Sequence, residues 1–146
     1  MRIKMCSVHV EDPAAAFEFY TKILGFDELT TMPEYRLYVV KSPDDPIGVG
    51  LLLEPSDNPV AKAYREGLHG QGMPAIVLGT ADVRAEYERL RALGVHFTGV
   101  PTTGPSGTEA VFDDGCGNLI QIHQDHAVEI DGAPDAAAEY DEGDIR

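Results

Sequence analysis

The sequence predicts an α+β protein made of two βαβββ modules in tandem, their curved mixed sheets wrapped around a cleft. Three observations predict it. A strand, a helix and three further strands can be traced twice along the chain. Matching residues recur at an offset of 70 (Asp12 with Asp82, Phe17 with Tyr87, Tyr20 with Leu90) or 69 (Gly25 with Gly94). The 146 residues, 43% of them hydrophobic, are enough for one shared core, and neither half can bury its sheet face alone.

The first module spans residues 1–55. Alternation over 3–10 reads as a strand, and Asp12-Pro13 pairs an N-cap residue with proline at the first helical position. Phe17, Tyr20 and Leu24 share one face of the helix that follows, and Gly25 stops it. Strand-like runs then cover 26–30, 35–41 and 49–54, the last two joined by the turn Ser42-Pro43-Asp44-Asp45-Pro46. A linker over 56–73 carries a short helix at Val60–Glu66. The second module, 74–124, repeats the order: a strand at 74–80, a helix capped by Asp82 with Val83, Tyr87, Leu90 and Leu93 on its apolar face, the stop at Gly94, and strands at 95–98, 109–113 and 118–124. Residues 125–146 hold eight acids and one base and read as a mobile acidic extension.

Charge narrows the partners. With 11 Lys and Arg against 25 Asp and Glu, the chain carries −14 and repels phosphates and anionic lipid, so neither nucleic acid nor membrane is expected. Cys6 and Cys116 are too few and too far apart for a disulfide framework or a Cys-x-x-Cys zinc site. The N-terminal residues show no apolar signal core, and the expected location is the cytoplasm.

Val10-Glu11-Asp12, Phe19-Tyr20, Leu24-Gly25-Phe26, Leu93-Gly94-Val95 and the run from Phe112 through Asp113-Asp114-Gly115-Cys116-Gly117-Asn118 to Gln121 occur in order and in duplicate halves. Together they resemble the vicinal oxygen chelate superfamily, which includes glyoxalase I, the bleomycin-resistance proteins, fosfomycin-resistance enzymes and extradiol dioxygenases. The resemblance implies a metal held by four side chains, normally His, Gln or Glu, on the first and last strands of each module. It places them at Met5, Gly50, Ala75 and Gln121. The first three cannot hold a hard divalent ion, and Gln121 alone is one weak ligand. Shifting by one residue gives Lys4 or Cys6, Val49 or Leu51, Pro74 or Ile76, and Ile120 or Ile122, which supplies nothing better. The expectation is no metal, no cofactor and no assigned catalytic residue.

Strand alternation turns Met5, Ser7 and His9 toward the cleft, with Gly50, Leu52 and Glu54, Ala75, Val77 and Gly79, and Leu119, Gln121 and His123. This lining is mostly apolar, with small residues that leave volume, and it fits a small-molecule pocket. A filled sheet–sheet core is the bland alternative. His9 and His123, with Glu54, are the groups able to form a displaced metal or acid–base site. His69, His96 and His126 read as surface residues. Cys6 is expected to pack under the helix layer, and Cys116 lies in a Gly-Cys-Gly turn whose acids raise its pKa. Gly104-Pro105-Ser106-Gly107 reads as a flexible loop over the cleft. The resulting expectation is a metal-free binding protein of the bleomycin-resistance type, taking a planar, partly apolar metabolite or antibiotic in a homodimer cleft. Its rivals are a metal-dependent lyase, isomerase or dioxygenase, and an accessory domain without a ligand.

Overall fold

The computed structural model describes residues 1–45 and 47–126. In the first module β1 (Met5–Val10) leads into α1 (Pro13–Glu18), which runs on as a π-helical turn over Phe19–Ile23. Next come β2 (Asp27–Met32), β3 (Leu37–Lys41) and β4 (Gly50–Pro55). The linker helix α2 (Pro59–Gly70) is longer than its sequence signal because the chain stays helical past Glu66 to Gly70. In the second module are β5 (Pro74–Gly79), α3 (Val83–Ala92), β6 (His96–Phe97), β7 (Thr102–Gly104), β8 (Gly107–Asp113) and β9 (Leu119–Asp125). The sheet orders are β1-β4-β3-β2 and β5-β9-β8-β6, with β7 also paired to β8. In both, the module's first and last strands are parallel and the other pairs antiparallel.

The duplication extends to single hydrogen bonds. Asp12 Oδ1 accepts from the N–H groups of Ala14 and Ala15 at 3.0 and 3.3 Å, and Asp82 Oδ1 from Ala85 at 3.0 Å. The Phe26 N–H donates to Tyr20 O and the Val95 N–H to Leu90 O, each at 3.0 Å, across Gly25 and Gly94. Both glycines have φ +87°, where a Cβ is strained. The offset drops from 70 to 69 because the first module has one extra residue, and the π turn absorbs it. There the Leu24 N–H reaches back five residues to Phe19 O at 3.1 Å.

One apolar core joins the two modules on the helix side of their sheets. Val8, Val10, Leu51 and Leu53 lie in the same cluster as Val83, Leu90, Ile120 and Ile122. Phe112 is fully buried, with its ring 6.3 Å from Phe19 and 5.5 Å from Phe97. Burying each such side chain contributes roughly 1.5–3 kcal/mol. Leu93, expected on this face, is exposed, because it sits at the end of α3 where the chain turns away.

Polar contacts lock the end of β1 to the turn between β8 and β9. Asp114, 1% exposed, accepts from the N–H groups of Cys116 and Asn118 at 2.7 and 3.0 Å and from the Tyr20 hydroxyl at 3.0 Å. Asn118 Nδ2 donates to His9 O at 2.8 Å, and the Glu11 N–H to Cys116 O at 3.1 Å. Arg65 of α2, also buried, donates to Ser56 Oγ and Glu11 Oε1, each at 3.1 Å. Gly117 makes room for it: with φ +97°, a Cβ there would overlap the Arg65 guanidinium.

β9 continues through Asp125, and the Gly104 carbonyl lies 2.7 Å from His126 Nε2, so the strand takes in the first residues assigned above to the acidic extension. Residues 127–146 lie outside the described residues. The expected loop at Gly104–Gly107 is instead the tight end of the β7–β8 hairpin, where Thr103 and Thr108 share a 2.9 Å hydroxyl contact.

Gly117→Ala combines a positive φ with a displaced buried arginine and should cost about 2–4 kcal/mol in urea unfolding. Gly25→Ala meets nothing within 4 Å and should cost only about 1–2 kcal/mol, from φ alone. Burial, reinforced by the Asp114 charge, raises the Tyr20 phenol well above its ordinary value of 10.0. The folded state therefore holds that proton more tightly than the unfolded chain, and stability present below pH 10 is lost as pH rises beyond it. Melting curves from about pH 8 to 11 should fall less steeply for Tyr20→Phe, by up to about 1.4 kcal/mol per pH unit.

Candidate functional site

The sheet faces turned away from the helices carry the residues expected to line a cleft. On the first sheet the cross-strand pairs are Met5 with Gly50, Ser7 with Leu52 and His9 with Glu54. Met5 and Ser7 are exposed, while His9, Leu52 and Glu54 are half-buried. On the second sheet Val77 pairs with Gln121 and Gly79 with His123. Val77 and Gly79 are exposed, Gln121 and His123 half-buried and Leu119 buried. Val77 and Gly79 leave the second face open to solvent, as Met5 and Ser7 leave the first, and nothing among the described residues closes one sheet over the other.

Two small residues do not open space as expected. Gly50 is buried, and a Cβ there would lie 3.0 Å from Val39 Cγ1 and 3.2 Å from Leu29 Cδ2. A bulge in β2 between Glu28 and Thr30 frees Leu29 from the ladder and lets it fill that site. Ala75 is the bulged residue between Pro74 and Ile76, and it packs against the core. Gly79, with nothing within 4 Å, is open.

The polar groups fall into two poles. At the first, His9 and Glu54 stand side by side at the end of β1 and β4 and share a cavity of about 480 Å3 with Pro55, Asn58, Val60, Ala61 and Tyr64. The Tyr64 ring stands edge-on to His9, with centroids 6.4 Å apart and planes at 83°. His9 Nδ1 is buried without a hydrogen-bond partner. At the second pole, Gln121 Nε2 donates to Glu109 Oε2 at 2.8 Å. His123 Nδ1 lies 3.9 Å from the same oxygen, and its Nε2 is 3.1 Å from Ser106 O. The structure thus brings His9 to Glu54 but places His123 on the other sheet. Among the described residues no three His, Cys, Asp or Glu side chains gather as metal ligands.

Glu109 and Tyr64 were not singled out from sequence. Glu109 is the cross-strand partner of His123, a relation that exists only once β8 and β9 are in register. Tyr64 had a faint signal, the apolar i, i+4 pair Val60 and Tyr64 on the linker helix.

A family model described as the Glyoxalase/Bleomycin resistance protein/Dioxygenase superfamily matches residues 2–122. The chain belongs to that superfamily. The uncharacterized protein YurT of Bacillus subtilis (strain 168) is 47% identical over 126 residues, covering 85% of this chain and 99% of YurT. Among solved structures, UcmS2 is 33% identical with a TM-score of 0.71, over 84% of this chain and 97% of UcmS2. TnmS3, an antibiotic binding protein from Streptomyces sp. CB03234, is 27% identical with a TM-score of 0.66, over 86% and 97%.

The metal that superfamily members can carry does not fit the corresponding positions here. Met5, Gly50 and Ala75 offer no hard donor, and the Gln121 amide is held by Glu109. The four positions are also out of step, because Met5 faces Gly50 whereas Gln121 faces Val77 and not Ala75.

The remaining titratable groups are accounted for locally. His69 Nε2 lies 3.0 Å from Asp113 Oδ2, and His96 is exposed in β6. Cys6, expected under the helix layer, is exposed, because β1 is an edge strand whose first half the helices leave uncovered. Cys116 is buried, and burial, with the charges of Asp114 and Glu11, pushes its thiol up to about 12. At pH 8 a thiol reagent should label one cysteine per folded chain within minutes and both only after denaturation. Peptide mapping should place the fast label on Cys6.

Proposed function

We propose that this protein binds a planar, partly apolar small molecule, a metabolite or an antibiotic, in a cleft completed by a second copy of the chain. The observation that carries this reading is the pair of uncovered sheet faces. Met5, Leu29 and Val77 stand 48, 46 and 55% exposed on elements whose opposite faces form the core. An apolar sheet face left to water favours a covering partner, and two such faces from two copies enclose a slot lined by apolar side chains with polar groups at its ends. The antibiotic-binding description of TnmS3, a structural neighbour, supports the same ligand class. The donor chemistry at Met5, Gly50, Ala75 and Gln121 supports a site that works without a divalent metal. No helix among the described residues is long and apolar enough to cross a membrane.

Light scattering at tens of micromolar should give the mass of two chains. Calorimetry with 1-naphthalenemethanol, a neutral aromatic alcohol, should give saturable binding. Val77→Arg should weaken that binding by about tenfold or more while leaving the circular dichroism spectrum unchanged. A monomer that takes up no probe, or a stoichiometric divalent metal whose removal by EDTA lowers the melting temperature, would overturn the proposal.

A further inference from the structure

We infer that the cavity between His9, Glu54 and Tyr64 is a subsite for a protonated amine on the ligand. The inference rests on the binding reading above and adds to it the charge and location of one ligand group. Glu54 is half-buried, yet none of the ion pairs among the described residues involves it. The cations on the helix that walls the cavity are committed elsewhere, Lys62 to Glu66 and Arg65 to Glu11. A carboxylate at a cavity wall without a counter-ion is free to pair with an incoming ammonium.

Two further features point to the same chemistry. Tyr64, 58% exposed, presents an aromatic ring at the cavity wall, and a ring face within about 6 Å attracts a cation. His9 Nδ1 is the one fully buried side-chain nitrogen or oxygen among the described residues that lacks a hydrogen-bond partner, and it lies on the strand position facing Glu54. Orphaned polar atoms are rare in finished cores, and the ring that carries this one lines the cavity beside Glu54. A metal ion is a poorer occupant, since Glu54 and His9 supply only two ligands and no third His, Cys, Asp or Glu among the described residues joins them. The pole at Glu109 lacks this character, because its carboxylate already accepts from Gln121.

The test compares 1-naphthylmethylamine with 1-naphthalenemethanol, which share ring and shape and differ in charge at neutral pH. The wild-type protein should bind the amine about tenfold more tightly than the alcohol. Glu54→Gln, which keeps the side-chain shape, should erase that preference and not lower the melting temperature. Tyr64→Leu should reduce the preference in part. Equal wild-type affinities for the two probes would overturn the amine subsite and leave the binding reading standing. A preference that survives Glu54→Gln would also overturn it. If neither probe binds, both readings fall.

Discussion

The buried carboxylate of Asp114 is the contact on which the two halves of this protein depend. It closes its own turn through the N–H groups of Cys116 and Asn118 and, in the same arrangement, accepts the hydroxyl of Tyr20 from the first module's helix. Burial raises its pKa, while those donors pull it back. Asn118, held in that turn, then reaches the carbonyl of His9. The position of β1, and so of every side chain on its open face, follows from one acidic turn at Asp114, 44 residues beyond the end of the linker helix at Gly70. Buried charges with several donors are costly to break, and this one sets the frame in which the poles sit.

Duplication supplies the frame, and divergence supplies the chemistry. His9 in the first module corresponds to Gly79 in the second, and Glu54 to His123, by their places in the parallel pairs. The same ladder position is therefore acidic on one sheet and imidazole-bearing on the other. In the second module the partner carboxylate comes from a neighbouring strand, at Glu109, and is spoken for by Gln121. In the first it comes from β4 and stands free beside an aromatic wall that only the linker helix provides. Two copies of one module thus carry unlike polar groups, and in the proposed slot these would give a ligand with one cationic end and one apolar body a single orientation.

In the proposed reading, such an arrangement serves recognition and not a reaction. On that reading the apolar faces would contribute affinity through area removed from water, and the poles would contribute orientation. The superfamily's usual ligand positions here carry a thioether, a glycine, an alanine and an amide already in use. The chain shares with the family a scaffold of two sheets with open faces.

The sequence by itself determined the architecture. Helix caps, stopping glycines and apolar periods are local signals, and their recurrence at offsets of 70 and 69 made the tandem modules readable, down to the extra residue later found in the π turn. It also determined which residues share a strand face, since alternation needs only a start point. Tertiary structure decided what those faces contain. Gly50 reads as space until a bulge two strands away sends Leu29 into it, and Ala75 reads as lining until a bulge takes it out of register. Glu109 becomes relevant through its pairing with His123, Tyr64 through the placement of a linker helix, and Arg65 through a gap left by Gly117. The reason is physical. Propensity and periodicity act over a few residues and are written in the chain, whereas packing, pairing and the burial of charge are set by groups that meet only when distant segments close on each other.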